Sequence, residues 1–156
     1  SNITFGKNRH GKPSKERVKA AIRVSQAEEF VSKLDDKEKA HIAQGGTNVS
    51  GGQKQRLSIA RTIARDPEIY IFDDSFSALD YKTDSTLRSE LKKYTKDATV
   101  MIVAQRIGTI LNADKIVVLD NGKCVGIGTH KELMKKCKVY KEIALSQVSK
   151  EELENV

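Results

Sequence analysis

The chain has no tryptophan, two cysteines, two prolines and only 5% aromatic residues. Two thiols, Cys124 and Cys137, cannot build the disulfide framework on which small secreted domains rely. Neither they nor His10, His41 and His130 fall at the spacing of a metal site, so both read as buried or free thiols. Long apolar runs are also missing. No window approaches the roughly 18 consecutive apolar residues of a membrane span, and the opening SNITFGKNRHGKPSK has no apolar core of a secretory signal. The scarcity of aromatics argues against a stacking platform for nucleic acid. The 28 basic residues outnumber the 21 acidic ones, for a net charge of +7, but the lysines are dispersed from Lys7 to Lys150. A solvated basic surface is the expectation, with no nucleic-acid partner. What remains suffices for one ordinary domain: 156 residues, 38% of them hydrophobic, bury enough core to exclude intrinsic disorder.

Periodicity organises the chain. Val18, Ala21, Ile22, Ala27, Phe30, Val31 and Leu34 recur at three- and four-residue spacing behind Pro13 and Ser14, which predicts a helix over Ser14 to Leu34 ending in a charged turn, Asp35 to Lys39. Ala43 to Gly52 reads as a glycine-rich loop. Gln53 to Arg65 reads as a helix, stopped by Asp66-Pro67. The unbroken apolar runs Ile69 to Phe72 and Thr99 to Ala104 are predicted to be strands buried on both faces, with a charged helix, Lys82 to Lys96, between them. Two further strands, Lys115 to Leu119 and Lys123 to Ile127, flank Asn121-Gly122 as a hairpin. Thr129 caps a closing helical region. This alternation defines an α/β class with a largely parallel sheet.

Gly6 to Ser14, preceded by a short strand at Ile3 to Phe5, nearly matches a phosphate-binding loop. Pro13 spoils it, because the residue after the lysine should supply a hydroxyl and an N–H. An ordinary turn into a proline-started helix is the expectation.

The stronger chemistry lies further on. Ser50, with Gln53 three residues later, is a capping box, and the same geometry makes an anion site: a hydroxyl, the backbone of Gly51 and Gly52 open to close approach, and free N–H groups at a helix start. These two readings are evenly matched on this motif alone. Asp73 and Asp74 leave the strand IYIF at its carboxyl end, the edge where ligands bind in open α/β sheets. Adjacent carboxylates there suit a Mg²⁺-nucleotide. Gln105 follows the second strand in the same way.

Taken together, Asn48 to Asp80 (NVSGGQKQRLSIARTIARDPEIYIFDDSFSALD) resembles the signature-to-D-loop region of exporter-type ATP-binding cassette (ABC) transporter nucleotide-binding domains. Val49, Ser50, Gly51, Gly52 and Gln53 look like the signature motif, Ile69 to Asp73 like the Walker B strand and Ser77 to Asp80 like the D-loop. Gln105 sits where the family has its switch histidine, and Ile116 to Gly128 resembles the late hairpin. The resemblance implies a P-loop NTPase-like ABC ATPase fold, present in part. Its divisions would be a helical signature subdomain at 1–52, the Walker B, D-loop and H-loop part of the catalytic core at 53–128, and a C-terminal helical region at 129–156. It also implies ATP and Mg²⁺ as ligands, with Asp73 on the metal, Asp74 and Gln105 catalytic, and Val49 to Gln53 and Asp80 at the nucleotide. The family's Walker A, Q-loop and adenine-stacking aromatic would precede Ser1, so this chain alone is expected to be inactive and to self-associate through exposed sheet.

Departures from the family pattern bear on mechanism. Asp74 stands in place of the catalytic glutamate, with about 1.5 Å less reach. Gln105 replaces the histidine and cannot carry a proton at neutral pH. Gln44 stands where exporters often have an acidic residue. The expectation is the degenerate half of a heterodimeric exporter at the cytoplasmic face of the cell membrane, partnered head to tail by a second nucleotide-binding domain and joined to transmembrane domains. A regulatory non-hydrolytic ABC module, or a soluble ABC ATPase of chromosome maintenance or DNA repair, are the alternatives.

Overall fold

The computed structural model describes residues 2–5 and 11–147. The chain divides into two compact units, Ser1–Met101 and Ile102–Val156.

In the first unit α1 (Lys15–Val24) starts at Ser14, whose hydroxyl accepts the Arg17 N–H at 3.2 Å. Pro13 lies ahead of this cap rather than in the first helical turn, and Gly6 to His10 of the near-match lie outside the described residues. The single helix expected over Ser14 to Leu34 is in fact two. Gln26 takes a left-handed φ of 56°, and its N–H bonds to the Arg23 carbonyl while that of Ala27 bonds to Ile22. This pair of bonds is a Schellman ending with glutamine where glycine is usual. After it comes α2 (Glu28–Ser32). Ala27, Phe30 and Val31 are nevertheless buried, so the apolar rhythm runs unbroken through a broken helix.

Short 3₁₀ turns follow at Lys37–Lys39 and Gln44–Gly46. Next comes α3 (Gly51–Arg65), which claims Gly51 and Gly52 for its first turn, so the glycine-rich loop ends at Ser50. It stops at Asp66, whose φ is 51° and whose carboxylate pairs with Arg17 at 3.1 Å. Its Leu57, Ile59, Ala60, Ile63 and Ala64 are buried, and α3 packs on α1, which buries Val18, Ala21 and Ile22. Ile3 to Phe5 form a turn, not a strand. Arg61 and Arg65 hold it, donating to the Asn2 and Phe5 carbonyls at 3.0 and 2.8 Å.

Strands β1 (Ile69–Asp73) and β2 (Thr99–Val103) pair in a two-stranded sheet, linked by α4 (Tyr81–Tyr94); a helical crossover of this kind makes neighbouring strands parallel. Burial on both faces is not what β1 shows. Tyr70 and Phe72 are buried, whereas Ile69 and Ile71 are 59% and 61% exposed, and on β2 Met101 and Val103 are 55% and 53% exposed. One face packs into the unit and the other is open among the described residues. Helix α4 buries Leu87 and Leu91, and its buried Asp84 is satisfied by two bonds from Arg88 at 3.0 and 2.9 Å.

In the second unit α5 (Ile107–Ile110) precedes an antiparallel hairpin of β3 (Ile116–Asp120) and β4 (Lys123–Gly128). Asn121 and Gly122 both have positive φ, 46° and 75°, as a two-residue turn matched to strand twist requires. A register shift between Val118 and Leu119 marks a bulge. Thr129 and Glu132 form a capping box at the start of α6 (His130–Lys136), which is followed by α7 (Lys138–Gln147). Ile116, Val118, Leu133, Cys137 and Tyr140 make the core.

Candidate functional site

The loop ahead of α3 is closed by one side chain. Asn48 accepts the Ala43 N–H through Oδ1 and donates to the His41 carbonyl through Nδ2, both at 3.0 Å. This presents Val49 and Ser50 at the start of α3. Ser50 Oγ accepts the Gln53 N–H at 3.2 Å, and Gln53 Oε1 accepts the Ser50 N–H at 2.9 Å. The predicted capping box is therefore formed. The box uses the serine oxygen as an acceptor, so the hydroxyl can still donate, beside the N–H groups of a 15-residue helix whose N-terminus favours anions.

Gly52 sits at a close approach. A Cβ built there would lie 3.0 Å from the Ala78 carbonyl oxygen, whereas one on Gly51 would meet only the Ala78 Cβ at 3.8 Å. The start of α3 thus rests against the segment that follows β1.

At the end of β1, Asp73 and Asp74 are both exposed, and Asp74 has a φ of 46°. Aspartate tolerates this left-handed conformation better than most residues, and such backbone clusters at functional sites. The turn beyond is tied internally: Ser75 Oγ donates to the Asp73 carbonyl at 3.2 Å and Ser77 Oγ to that of Asp74 at 3.1 Å. It is also tied to α3 through Gln55. Its amide donates to the Asp74 carbonyl at 3.2 Å and to Ser77 Oγ at 3.0 Å, while its oxygen accepts the Ala78 N–H at 3.0 Å. Gln55 is a site residue that sequence reasoning missed. Its spacing was the available signal, since it follows Gly51 by four residues and Gly52 by three, on the same helix face.

Asp80 is occupied as the cap of α4: Oδ1 accepts the Thr83 N–H at 2.9 Å and Oδ2 the Thr83 hydroxyl at 2.7 Å. These bonds, the backbone one foremost, hold its carboxyl below the usual carboxylate range. The first unit therefore sets Gly51 and Gly52 of the Val49 to Gln53 stretch against Ala78, and Asp73 and Asp80 flank the segment that Gln55 ties to α3. Gln105 belongs to the second unit. It is exposed, its carbonyl accepts Gln147 Nε2 at 2.7 Å, and Gln147 Oε1 accepts the Ile107 N–H at 2.8 Å, so α7 fixes the turn that carries it.

A capped, glycine-bearing helix start, tied to the segment that follows a carboxylate-ended strand in an α/β unit, fits the ABC-type resemblance read in the sequence. Comparison with known proteins agrees. The family model described as ABC transporter matches residues 2–77. The chain is 44% identical over 146 residues to an uncharacterized ABC transporter ATP-binding protein of Mycobacterium bovis, an alignment covering 94% of this chain and 25% of that protein. It is 40% identical over 140 residues to an ATP-dependent lipid A-core flippase of Francisella tularensis, covering 90% and 23%. A solved structure of a bacterial Atm1-family ABC exporter with ATP bound superposes with a TM-score of 0.87 at 32% identity, covering 96% of this chain and 26% of that one. The chain belongs to the ABC transporter family, and its fold is part of the exporter ABC ATPase fold. It spans about a quarter of the length of the curated relatives it matches. No helix among the described residues is long and apolar enough to cross a membrane.

Proposed function

We propose that this chain is part of the ATP-binding subunit of an ABC exporter, coupling ATP binding and hydrolysis to transport, and that it is the degenerate half of a heterodimer at the cytoplasmic face of the cell membrane. The observation that carries the reading is the start of α3, where the capped Ser50 keeps its O–H and Gly51 stands exposed beside it. In this family two such domains sandwich ATP head to tail, so Val49 to Gln53 would contact the nucleotide held by the partner. Residues 1–52 would act as the signature subdomain, 53–128 as the Walker B, D-loop and H-loop part of the core, and 129–156 as a C-terminal helical region. Transmembrane domains of the same transporter would complete the assembly.

Asp73, Asp74 and Gln105 would serve this subunit's own nucleotide, and Asp80 would act through the turn it caps. The exposed carboxylates at the end of β1 are hard oxygen donors that fit Mg²⁺, which takes one or two carboxylates beside phosphate oxygens. Asp73 would hold the ion, which when bound would neutralise phosphate charge. Asp74 is too short by a methylene to polarise an attacking water as a glutamate would. Gln105 can hydrogen-bond a phosphate oxygen but cannot shuttle its proton. Both features support a slow or inactive site on this side.

The test is ATPase turnover of the full transporter with Ser50→Ala or Gly51→Asp. Each should lose most activity, by a factor of about 10² if the serine acts as a transition-state donor. Parent rates in both would refute the signature assignment.

A further inference from the structure

We propose that Gln55 is a positioning residue, which locks the segment Asp74 to Ala78 onto the first turns of α3 so that Ser50 and Asp74 move as one piece. The inference rests on the ATPase reading above. Three hydrogen bonds carry it, and they use both ends of the amide: Nε2 on the Asp74 carbonyl and on Ser77 Oγ, and Oε1 on the Ala78 N–H. Only a primary amide of this length can donate twice and accept once in this arrangement. A glutamate would set a carboxylate against the Asp74 carbonyl, and a methionine would fill the space without bonds.

The segment so held begins at a left-handed residue. Asp74 sits at a φ of 46°, and its carbonyl is fixed by two donors, Gln55 Nε2 and Ser77 Oγ. On the other side α3 lies against the same segment, and a Cβ added at Gly52 would come within 3.0 Å of the Ala78 oxygen. Contact at Gly52 and bonding at Gln55 fix the segment at two points one helical turn apart. A displacement of the strand end is thereby transmitted to the helix start, which links the carboxylate serving one nucleotide to the hydroxyl serving the other.

The experiment uses the full-length transporter with its partner and compares parent, Gln55→Met, Ser77→Ala, the double variant and Ser50→Ala. Gln55→Met should lower kcat about tenfold while KM for ATP stays within about twofold, because the residue touches no nucleotide. Ser77→Ala, which removes one of the three Gln55 bonds together with the hydroxyl's own bond to the Asp74 carbonyl, should lower kcat about threefold. The double variant should lose clearly less than the product of the two single losses, since both act on one clamp. A parent kcat in Gln55→Met, a loss confined to KM, or losses that multiply in the double variant would overturn the proposal. Should Gln55→Met not assemble, a parent kcat in Ser77→Ala would do the same. Ser50→Ala separates the two layers: if it turns over normally the signature assignment fails, and if it is inactive while Gln55→Met is normal only the clamp fails.

Discussion

Gly51 and Gly52 look interchangeable in sequence, yet the structure assigns them different neighbours, and the difference is measurable. An alanine methyl at position 52 would lie 3.0 Å from the Ala78 carbonyl oxygen and 3.7 Å from Leu79 Cδ2, whereas at position 51 it would meet the Ala78 methyl at an ordinary 3.8 Å. Overpacking of this kind costs about 1–3 kcal/mol. Replacing glycine by alanine in a helix returns about 0.5–1 kcal/mol at either position. The net expectation is a loss of up to about 2.5 kcal/mol for Gly52→Ala and a small gain for Gly51→Ala. At roughly 2–4 °C per kcal/mol for a domain of this size, Gly52→Ala should melt up to about 10 °C below the parent and Gly51→Ala at or slightly above it. Scanning calorimetry on the ATP-binding domain containing this chain reads both. Equal shifts, or a larger loss at Gly51, would refute the docking of α3 on the Ala78 segment.

Two other expectations follow from burial. The open face of β1 and β2 carries Ile69, Ile71, Met101 and Val103, so this 156-residue chain on its own should self-associate, and Ile71→Lys should raise the concentration at which it does so; a monomer at high concentration in light scattering would count against it. Tyr70 is buried, and desolvation followed by the nearby Asp66 charge raises its phenol to about 12. A raised folded-state value stabilises at pH below the ordinary tyrosine value of 10.0 and is lost as pH climbs through about 12, so denaturant midpoints should fall across that window. Tyr70→Phe should flatten the fall, and an unchanged slope would refute the assignment.

What the sequence made legible is what local chemistry dictates. Ser50 with Gln53, Thr129 as a helix cap, and Asn121-Gly122 are self-contained devices whose partners lie within three residues, and all three form. Two errors came from information that local pattern does not hold. The apolar rhythm from Val18 to Val31 reports which side faces the core, not whether the backbone between is continuous, so the left-handed Gln26 was invisible. The run IYIF says that apolar side chains are present on both faces but not what covers them, and the face bearing Ile69 and Ile71 is open. Gln55 escaped notice for a related reason: its three bonds reach residues 19 to 23 positions away, a pairing that only the fold creates.

The central claim is that this subunit's own nucleotide site is degenerate because of Asp74 and Gln105, while its Ser50 serves a working site on the partner. Steady-state ATPase turnover of the full heterodimer at saturating Mg-ATP tests it most directly. Asp74→Asn should cost little, Asp74→Glu combined with Gln105→His should raise turnover, and amide replacement of the partner's equivalent carboxylate should stop it by a factor of about 10² or more. A large loss from Asp74→Asn would contradict the account, because it would make this aspartate a working base.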